Sequence, residues 1–181
     1  MARIESTDRA SFFELQPVHV TRGRGDSTDL DAVVCRVKFE SYGEPVEGDL
    51  NISRGGLARM VEKLRGFAEK RAGMMQLRSD TQDLELSLAA RRSKWTQKIR
   101  VTGLAGVPED IGQADAPEEV RASFGVTWRQ ASRQGGSVEH RCGMVCTFDA
   151  LAAFAGALQA EFDAAPTRRG TGKVEPPRDA R

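Results

Sequence analysis

Cysteine, histidine and aromatic residues are all scarce in this chain of 181 residues. The three cysteines, Cys35, Cys142 and Cys146, are odd in number and lie within apolar segments. Secreted domains use paired cysteines as a framework, so this pattern favours a reducing compartment. With two histidines in the whole chain, a histidine-based hydrolase has few residues from which to build a catalytic site.

Long apolar runs and an excess of one charge are also missing. No segment approaches the ~20 apolar residues that span a bilayer, and the N-terminal residues contain no run of signal-peptide length. We therefore expect a soluble, cytoplasmic protein without a membrane partner. The 27 basic and 26 acidic residues give a net charge of +1, so no overall field directs the chain toward nucleic acid.

Several segments alternate apolar and polar residues, which is typical of half-buried β-strands. Segments 12–20 and 74–78 are candidate strands, and the alternation is clear in 33–39, 46–52, 84–88, 95–102, 120–129 and 138–148. Pro17 confines the first of them to a sheet edge or a bend, because proline donates no hydrogen bond to a neighbouring strand.

Two segments repeat apolar residues every three or four positions, which predicts amphipathic helices. One follows Ser53 and the other follows Thr147, and both residue types are favourable N-caps. Each predicted helix comes directly after a predicted hairpin, which gives a repeated β-β-α unit. The sequence therefore predicts an α+β fold: an antiparallel sheet of about six to eight strands with two helices on one face.

The domain boundaries are placed where the periodic pattern of apolar residues ends. Residues 1–11 are predicted to be a flexible N-terminus, 12–163 a single domain, and 164–181 a disordered tail rich in proline, glycine and charge. Within the domain, residues 103–119 show no periodicity and are predicted to be a long loop or insertion.

Candidate catalytic and metal sites are weak. His140, Cys142 and Cys146 are the best metal-binding candidates, but structural zinc normally takes four converging ligands. On a strand, the two cysteines would lie roughly 13 Å apart and point into the core. Gly55 and Gly56 lack the remaining residues of a phosphate-binding loop. We therefore expect no enzyme activity, no cofactor and no metal.

Basic residues on the polar strand faces and in the segment 91–100 are the candidate partner-binding residues. They are Arg36, Lys38, Arg91, Arg92, Lys94, Lys98, Arg100, Arg121 and Arg129. Fixed charges of this kind suit an electrostatically complementary protein partner. The alternative is an accessory protein of nucleic acid, because segment 91–100 combines basic residues with Trp95, which could stack on a base.

One family shows a comparable arrangement of motifs. A hairpin leads into a DLxxxxxxLxxMxxxL-like stretch (Asp49 to Leu64), followed by the LELSL strand (Leu84 to Leu88) and by CTFDALAAFAGALQAEF (Cys146 to Phe162). In this order the chain resembles the WapI-type immunity proteins and related actinobacterial proteins, over roughly Leu30 to Phe162. The resemblance implies a cytoplasmic, non-catalytic protein that neutralises a toxin domain or serves a bacterial defence system. The 103–119 segment and the basic tail depart from the family pattern.

Overall fold

The structure, a computed structural model, describes residues 1–22, 31–41, 43–93, 119–131 and 137–168. Within these residues the chain forms nine strands and two helices. In chain order they are β1 (Arg3–Glu5), β2 (Phe12–Thr21), β3 (Ala32–Ser41), β4 (Glu44–Ser53), α1 (Arg54–Lys70), β5 (Met74–Arg78), β6 (Leu84–Ser93), β7 (Glu119–Ala131), β8 (Ser137–Cys146), α2 (Phe148–Ala164) and β9 (Thr167–Arg168).

The strands are divided between two sheets. The first sheet has the order β1-β2-β3-β4, with β9 running parallel beside β2, and the second has the order β5-β6-β7-β8. The α+β class, the antiparallel arrangement and the two helices are confirmed, but the single sheet of the prediction is replaced by one of five strands and one of four. The division falls where α1 separates β4 from β5.

Both helices begin at the predicted caps. The Ser53 hydroxyl accepts a hydrogen bond from the Gly56 N–H at 2.9 Å, and the Thr147 hydroxyl accepts one from the Ala150 N–H at 3.1 Å. Each cap satisfies one N–H group that the first helical turn leaves without a partner. The apolar stripes are buried as predicted: Leu57, Met60, Val61 and Leu64 in α1, and Leu151, Phe154, Ala155 and Leu158 in α2.

Each helix directly follows a hairpin, β3–β4 before α1 and β7–β8 before α2. This is the predicted order of elements. That the two β-β-α units form a structural repeat stays a prediction.

The inner faces of the two sheets share one core with the helices. The Phe13 ring of β2 lies 5.6 Å from the Phe124 ring of β7 and 5.9 Å from the Phe154 ring of α2. The helices contact each other, with the Phe67 and Phe148 rings 5.7 Å apart. The outer face of each sheet, pointing away from this core, carries the polar residues of the alternating pattern.

A glycine allows the two sheets to approach closely. A Cβ atom at Gly48 of β4 would overlap the ring of Trp128 on β7, and Trp128 is fully buried. Only glycine leaves room for the indole ring at this point, so this residue fixes how near the first sheet can come to the second.

Strand pairing extends beyond the predicted bounds of the domain at both of its ends. Residues 2–5 belong to the fold, since β1 pairs with β2 and both Ala2 and Ile4 are buried. The end of the chain likewise adds β9 beside β2, while residues 169–181 lie outside the described part. Pro17 lies at a shift in the register between β2 and β3, as the prediction of a bend requires. Of the predicted 103–119 loop, Glu119 begins β7 and the rest lies outside the described residues.

Candidate partner-binding surface

The predicted basic residues lie on two different sheets. Arg36 and Lys38 belong to β3 of the first sheet, Arg91 and Arg92 to β6, and Arg121 and Arg129 to β7 of the second. Lys94, Lys98 and Arg100 lie outside the described residues. The structure therefore places Arg36 and Lys38 on one outer face and Arg91, Arg121 and Arg129 on another.

On the first sheet the cations are paired with acids across the β3–β4 ladder. The Arg36 Nε atom lies 3.4 Å from Asp49 Oδ1 and 3.9 Å from Glu47 Oε1. The Lys38 Nζ atom lies 3.8 Å from Glu47 Oε2. Exposed pairs like these contribute at most about 1 kcal/mol each, but they leave this patch close to electrically neutral.

Arg129 also makes an ion pair and a hydrogen bond within the protein. Its Nε lies 3.0 Å from Glu139 Oε2, and its Nη1 donates to the Gln82 carbonyl oxygen at 3.1 Å. Arg141 approaches the other Glu139 oxygen at 2.5 Å. The hydrogen bond from Arg141, with a further one from Arg129, lowers the pKa of the Glu139 carboxyl. Arg129 thus ties the β5–β6 turn to β8.

Arg91 and Arg121 form a different arrangement. They are directly opposite each other in the β6–β7 register, so their Cβ atoms are about 4.5–5.5 Å apart. Arg91 is exposed and makes no ion pair within the described residues. Arg121 is half-buried and donates from Nη1 to the Thr7 hydroxyl at 3.5 Å. Two like charges face each other on one sheet surface.

These two arginines line a groove of about 600 Å³, which we call the Arg91–Arg121 groove. Its opposite wall is the turn between β1 and β2, residues 6–11. A hydrogen bond from the Thr7 N–H to the Val145 carbonyl oxygen, 2.8 Å long, fixes this turn to the edge of β8. The remaining lining includes the hydroxyl-bearing residue Ser123 and the edge residue Gly143.

Hydrogen bonds inside the turn hold the wall in shape. The Ser6 hydroxyl donates to Asp8 and accepts from the Ser11 N–H at 3.0 Å. Asp8 also accepts from the Ala10 N–H at 3.0 Å. The bond from Ser6, followed by that from Ala10, lowers the pKa of Asp8. The wall therefore exists before any ligand arrives, and Asp8 stays ionised at neutral pH.

A second groove of about 380 Å³ continues from the first and shares Ser11 and Gly143 with it. Its floor consists of small residues on the outer face of the second sheet, among them Ser87 and Gly125. No aromatic residue lines either groove among the described residues. The described lining of the two grooves therefore offers charge and hydrogen bonds, without the aromatic residues on which the bases of single-stranded nucleic acid stack.

The thiols and His140 do not line the Arg91–Arg121 groove, whereas Cys142 is one of the residues lining the second groove. Cys35, Cys142 and Cys146 are buried, and burial raises the pKa of Cys35 to about 12 and that of Cys146 to about 11. Burial, followed by the Glu40 carboxylate, raises the pKa of Cys142. The His140 ring packs 5.8 Å from the Trp128 ring. Among the described residues, no group of three or more His, Cys, Asp or Glu side chains is placed to hold a metal ion.

Sequence reasoning found both arginines of the groove but missed its wall. Residues 6–11 carry no periodicity, and nothing local indicates that their turn reaches the second sheet. The spacing Ser6-x-Asp8 with Ser11 is a turn signal of the kind that serine and aspartate provide, and it could have predicted the turn, though not its position.

No helix among the described residues is long and apolar enough to cross a membrane. Comparison with family models, curated proteins and solved structures found no match to this chain.

Proposed function

We propose that the chain is a non-catalytic module that binds an acidic protein through the outer face of its second sheet, centred on the Arg91–Arg121 groove. The observation that carries this proposal is the contrast between the cross-strand neighbours of two sets of basic residues. Arg36 and Lys38 are balanced by Asp49 and Glu47, whereas two arginines oppose each other on the second sheet.

Opposed like charges on neighbouring strands destabilise a sheet by a few tenths of a kcal/mol up to about 1 kcal/mol. An acidic partner would remove that cost on binding. It would also associate faster, because complementary fields steer the encounter between two proteins. The preformed wall of residues 6–11 favours affinity in a second way, since the site needs little ordering when the partner arrives.

The reactive groups support a non-catalytic function. A thiolate nucleophile needs a lowered pKa, and the Cys35 and Cys146 thiols have pKa values raised to about 12 and about 11. His140 packs against Trp128, away from the groove. The groove itself contains arginines, hydroxyl groups and one carboxylate, Asp8.

The resemblance to WapI-type immunity proteins suggests what the acidic protein is. On this proposal the partner is a toxin domain or a component of a defence system, met in the cytoplasm. We prefer a protein to nucleic acid because the described lining of both grooves has no aromatic residue.

A photo-crosslinking experiment tests the proposal. A photoreactive amino acid is placed at Ser87, on the floor of the second groove, and in a matched variant at Asn51, on the exposed face of β4. In cells of the source organism, the Ser87 variant is expected to form one discrete protein adduct, identified by mass spectrometry, and the Asn51 variant none.

Two outcomes would count against the proposal. Equal adduct formation at Asn51 and Ser87 would contradict the assignment of the binding surface to the second sheet. A nuclease-sensitive adduct at Ser87 would show that the partner is a nucleic acid, against the choice of a protein.

A further inference from the structure

The donors around Arg91 and Arg121 converge from both walls of one groove. The Arg121 Nη1 atom already donates to the Thr7 hydroxyl oxygen, which leaves the hydroxyl proton of Thr7 available for another acceptor. The hydroxyls of Ser11 and Ser123 line the same space, and neither makes a hydrogen bond within the described residues. Two guanidinium groups and three hydroxyl groups thus surround one volume.

We propose that the Arg91–Arg121 groove is an oxyanion site that binds a phosphoryl group, presented on a phosphorylated side chain of the partner or as free phosphate. The site lies within the surface of the proposed function and deepens it. The identity of its biological ligand rests on the proposed function, but the binding of phosphate to the groove can be tested without a partner protein.

The number of donors favours a phosphoryl group over a carboxylate. One bidentate arginine already matches the two oxygens of a carboxylate. A second guanidinium group and three hydroxyl groups exceed what two oxygens can accept with good geometry. A phosphoryl group carries about −1.5 to −2 charges and three acceptor oxygens, which matches two opposed guanidinium groups and the hydroxyl groups of the turn wall.

Asp8 limits the affinity of this site. Its carboxylate is part of the same lining, and the hydrogen bonds from Ser6 and Ala10 keep it ionised. Its negative charge opposes an incoming anion, so free phosphate is expected to bind weakly, at roughly millimolar Kd. An asparagine side chain at this position has the same acceptor oxygen for Ser6 and Ala10, so Asp8→Asn is expected to bind phosphate several-fold more tightly.

The first experiment measures thermal unfolding in phosphate and in chloride at equal ionic strength and pH 7.5. At ten times Kd, phosphate is expected to raise Tm by about 3–5 °C through ligand linkage. Phosphate also stabilises proteins generally by exclusion from their surface. The specific part of the Tm shift is therefore the difference in shift between the parent and Arg91→Gln, which removes the charge and keeps a polar, unbranched side chain.

The matched control is Arg65→Gln, an exposed arginine on α1 with the same change of charge. The Arg91→Gln and Arg121→Gln variants are expected to lose the specific shift, Arg65→Gln to keep it, and Asp8→Asn to reach it at a lower concentration. In chloride, Arg91→Gln should melt about 1–3 °C above the parent, because the repulsion between the opposed charges is gone.

A direct measurement separates binding from stability. In NMR titrations with inorganic phosphate, the Nε–Hε signals of Arg91 and Arg121 should shift together with one Kd, while that of Arg65 stays in place. A peptide carrying phosphoserine and its unphosphorylated form are titrated in parallel. Tighter binding of the phosphopeptide assigns the phosphoryl group to a partner protein, and equal binding of phosphate alone assigns it to the free ion.

The proposal is overturned if the Arg91 and Arg121 signals do not move, or if all four variants show the same Tm difference between phosphate and chloride. That result would leave the crosslinking test at Ser87 unaffected. Conversely, phosphate binding without any protein adduct at Ser87 would retain the oxyanion site and remove the proposed function.

Discussion

The Phe13→Ala substitution is expected to lower the free energy of unfolding by about 3–5 kcal/mol, the usual range for a buried phenylalanine that leaves a cavity. Phe13 is fully buried. Its ring lies within 6.3 Å of Phe39 in the first sheet, of Phe124 in the second sheet and of Phe154 in α2. One side chain therefore joins both sheets and a helix. Chemical denaturation followed by circular dichroism measures the change.

The neighbouring residue is the matched control. Phe12 precedes Phe13 on β2 but is only half-buried, and its ring lies 4.2 Å from the Arg3 guanidinium group. Phe12→Ala deletes the same atoms and should cost about 1 kcal/mol. If the two variants lost the same free energy, β2 would not present Phe13 to a core shared by the two sheets.

Raising the pH from 8 to 10 is expected to remove about 3 kcal/mol of stability through two buried thiols. In the folded state burial raises the pKa of Cys35 to about 12 and that of Cys146 to about 11, above the ordinary value of 9.0. The unfolded chain loses these protons first, so the stabilisation is complete below pH 9 and is lost as the pH rises toward the folded values. At pH 10 each thiol accounts for about 1.4 kcal/mol.

Urea denaturation at pH 8, 9 and 10 measures this dependence. Lysine and tyrosine titrate in the same range, so the informative quantity is the difference between the parent and the Cys35→Ala, Cys146→Ala double variant. The double variant starts less stable at pH 8 because of its two cavities, but it should lose about 3 kcal/mol less on going to pH 10. An equal loss in both proteins would mean that the thiols are not buried.

Local patterns predicted the helices well because both signals that define them are local. Ser53 and Thr147 lie at the caps, and the stripes that begin at Leu57 and Leu151 are buried. A capping hydroxyl acts within three residues of itself, and an apolar stripe repeats every three or four residues. Neither depends on where the rest of the chain lies.

The division of the strands into two sheets could not be predicted from local patterns. Alternation tells which side of a strand is buried, but not which strand lies beside it. The approach of Gly48 to Trp128 joins residues 80 positions apart in the chain, and neither residue carries a local sign of the other. A strand-forming segment with glycine in its interior does indicate close approach of another group, without naming that group.

For the candidate partner-binding surface, too, local patterns do not show which residues face each other across neighbouring strands. Its cations could be picked out from outward strand positions, but their ion pairs depend on register. Arg36 faces Asp49 across the ladder, whereas Arg91 faces Arg121. A shift of two residues would exchange such partners while keeping the same buried faces. The sequence therefore predicted a charged surface, and the structure shows which of its cations face an acid and which face another cation across the ladder.

The most direct test of the central claim is the affinity of the crosslinked partner, once purified, for three forms of the chain. Isothermal titration calorimetry compares the parent with Arg91→Glu and with Arg65→Glu, which changes the charge equally on the exposed side of α1. If the Arg91–Arg121 groove is the binding surface, Arg91→Glu should weaken binding by roughly 30-fold or more, and Arg65→Glu by about two-fold or less. The same Kd for Arg91→Glu as for the parent would show that the partner binds elsewhere.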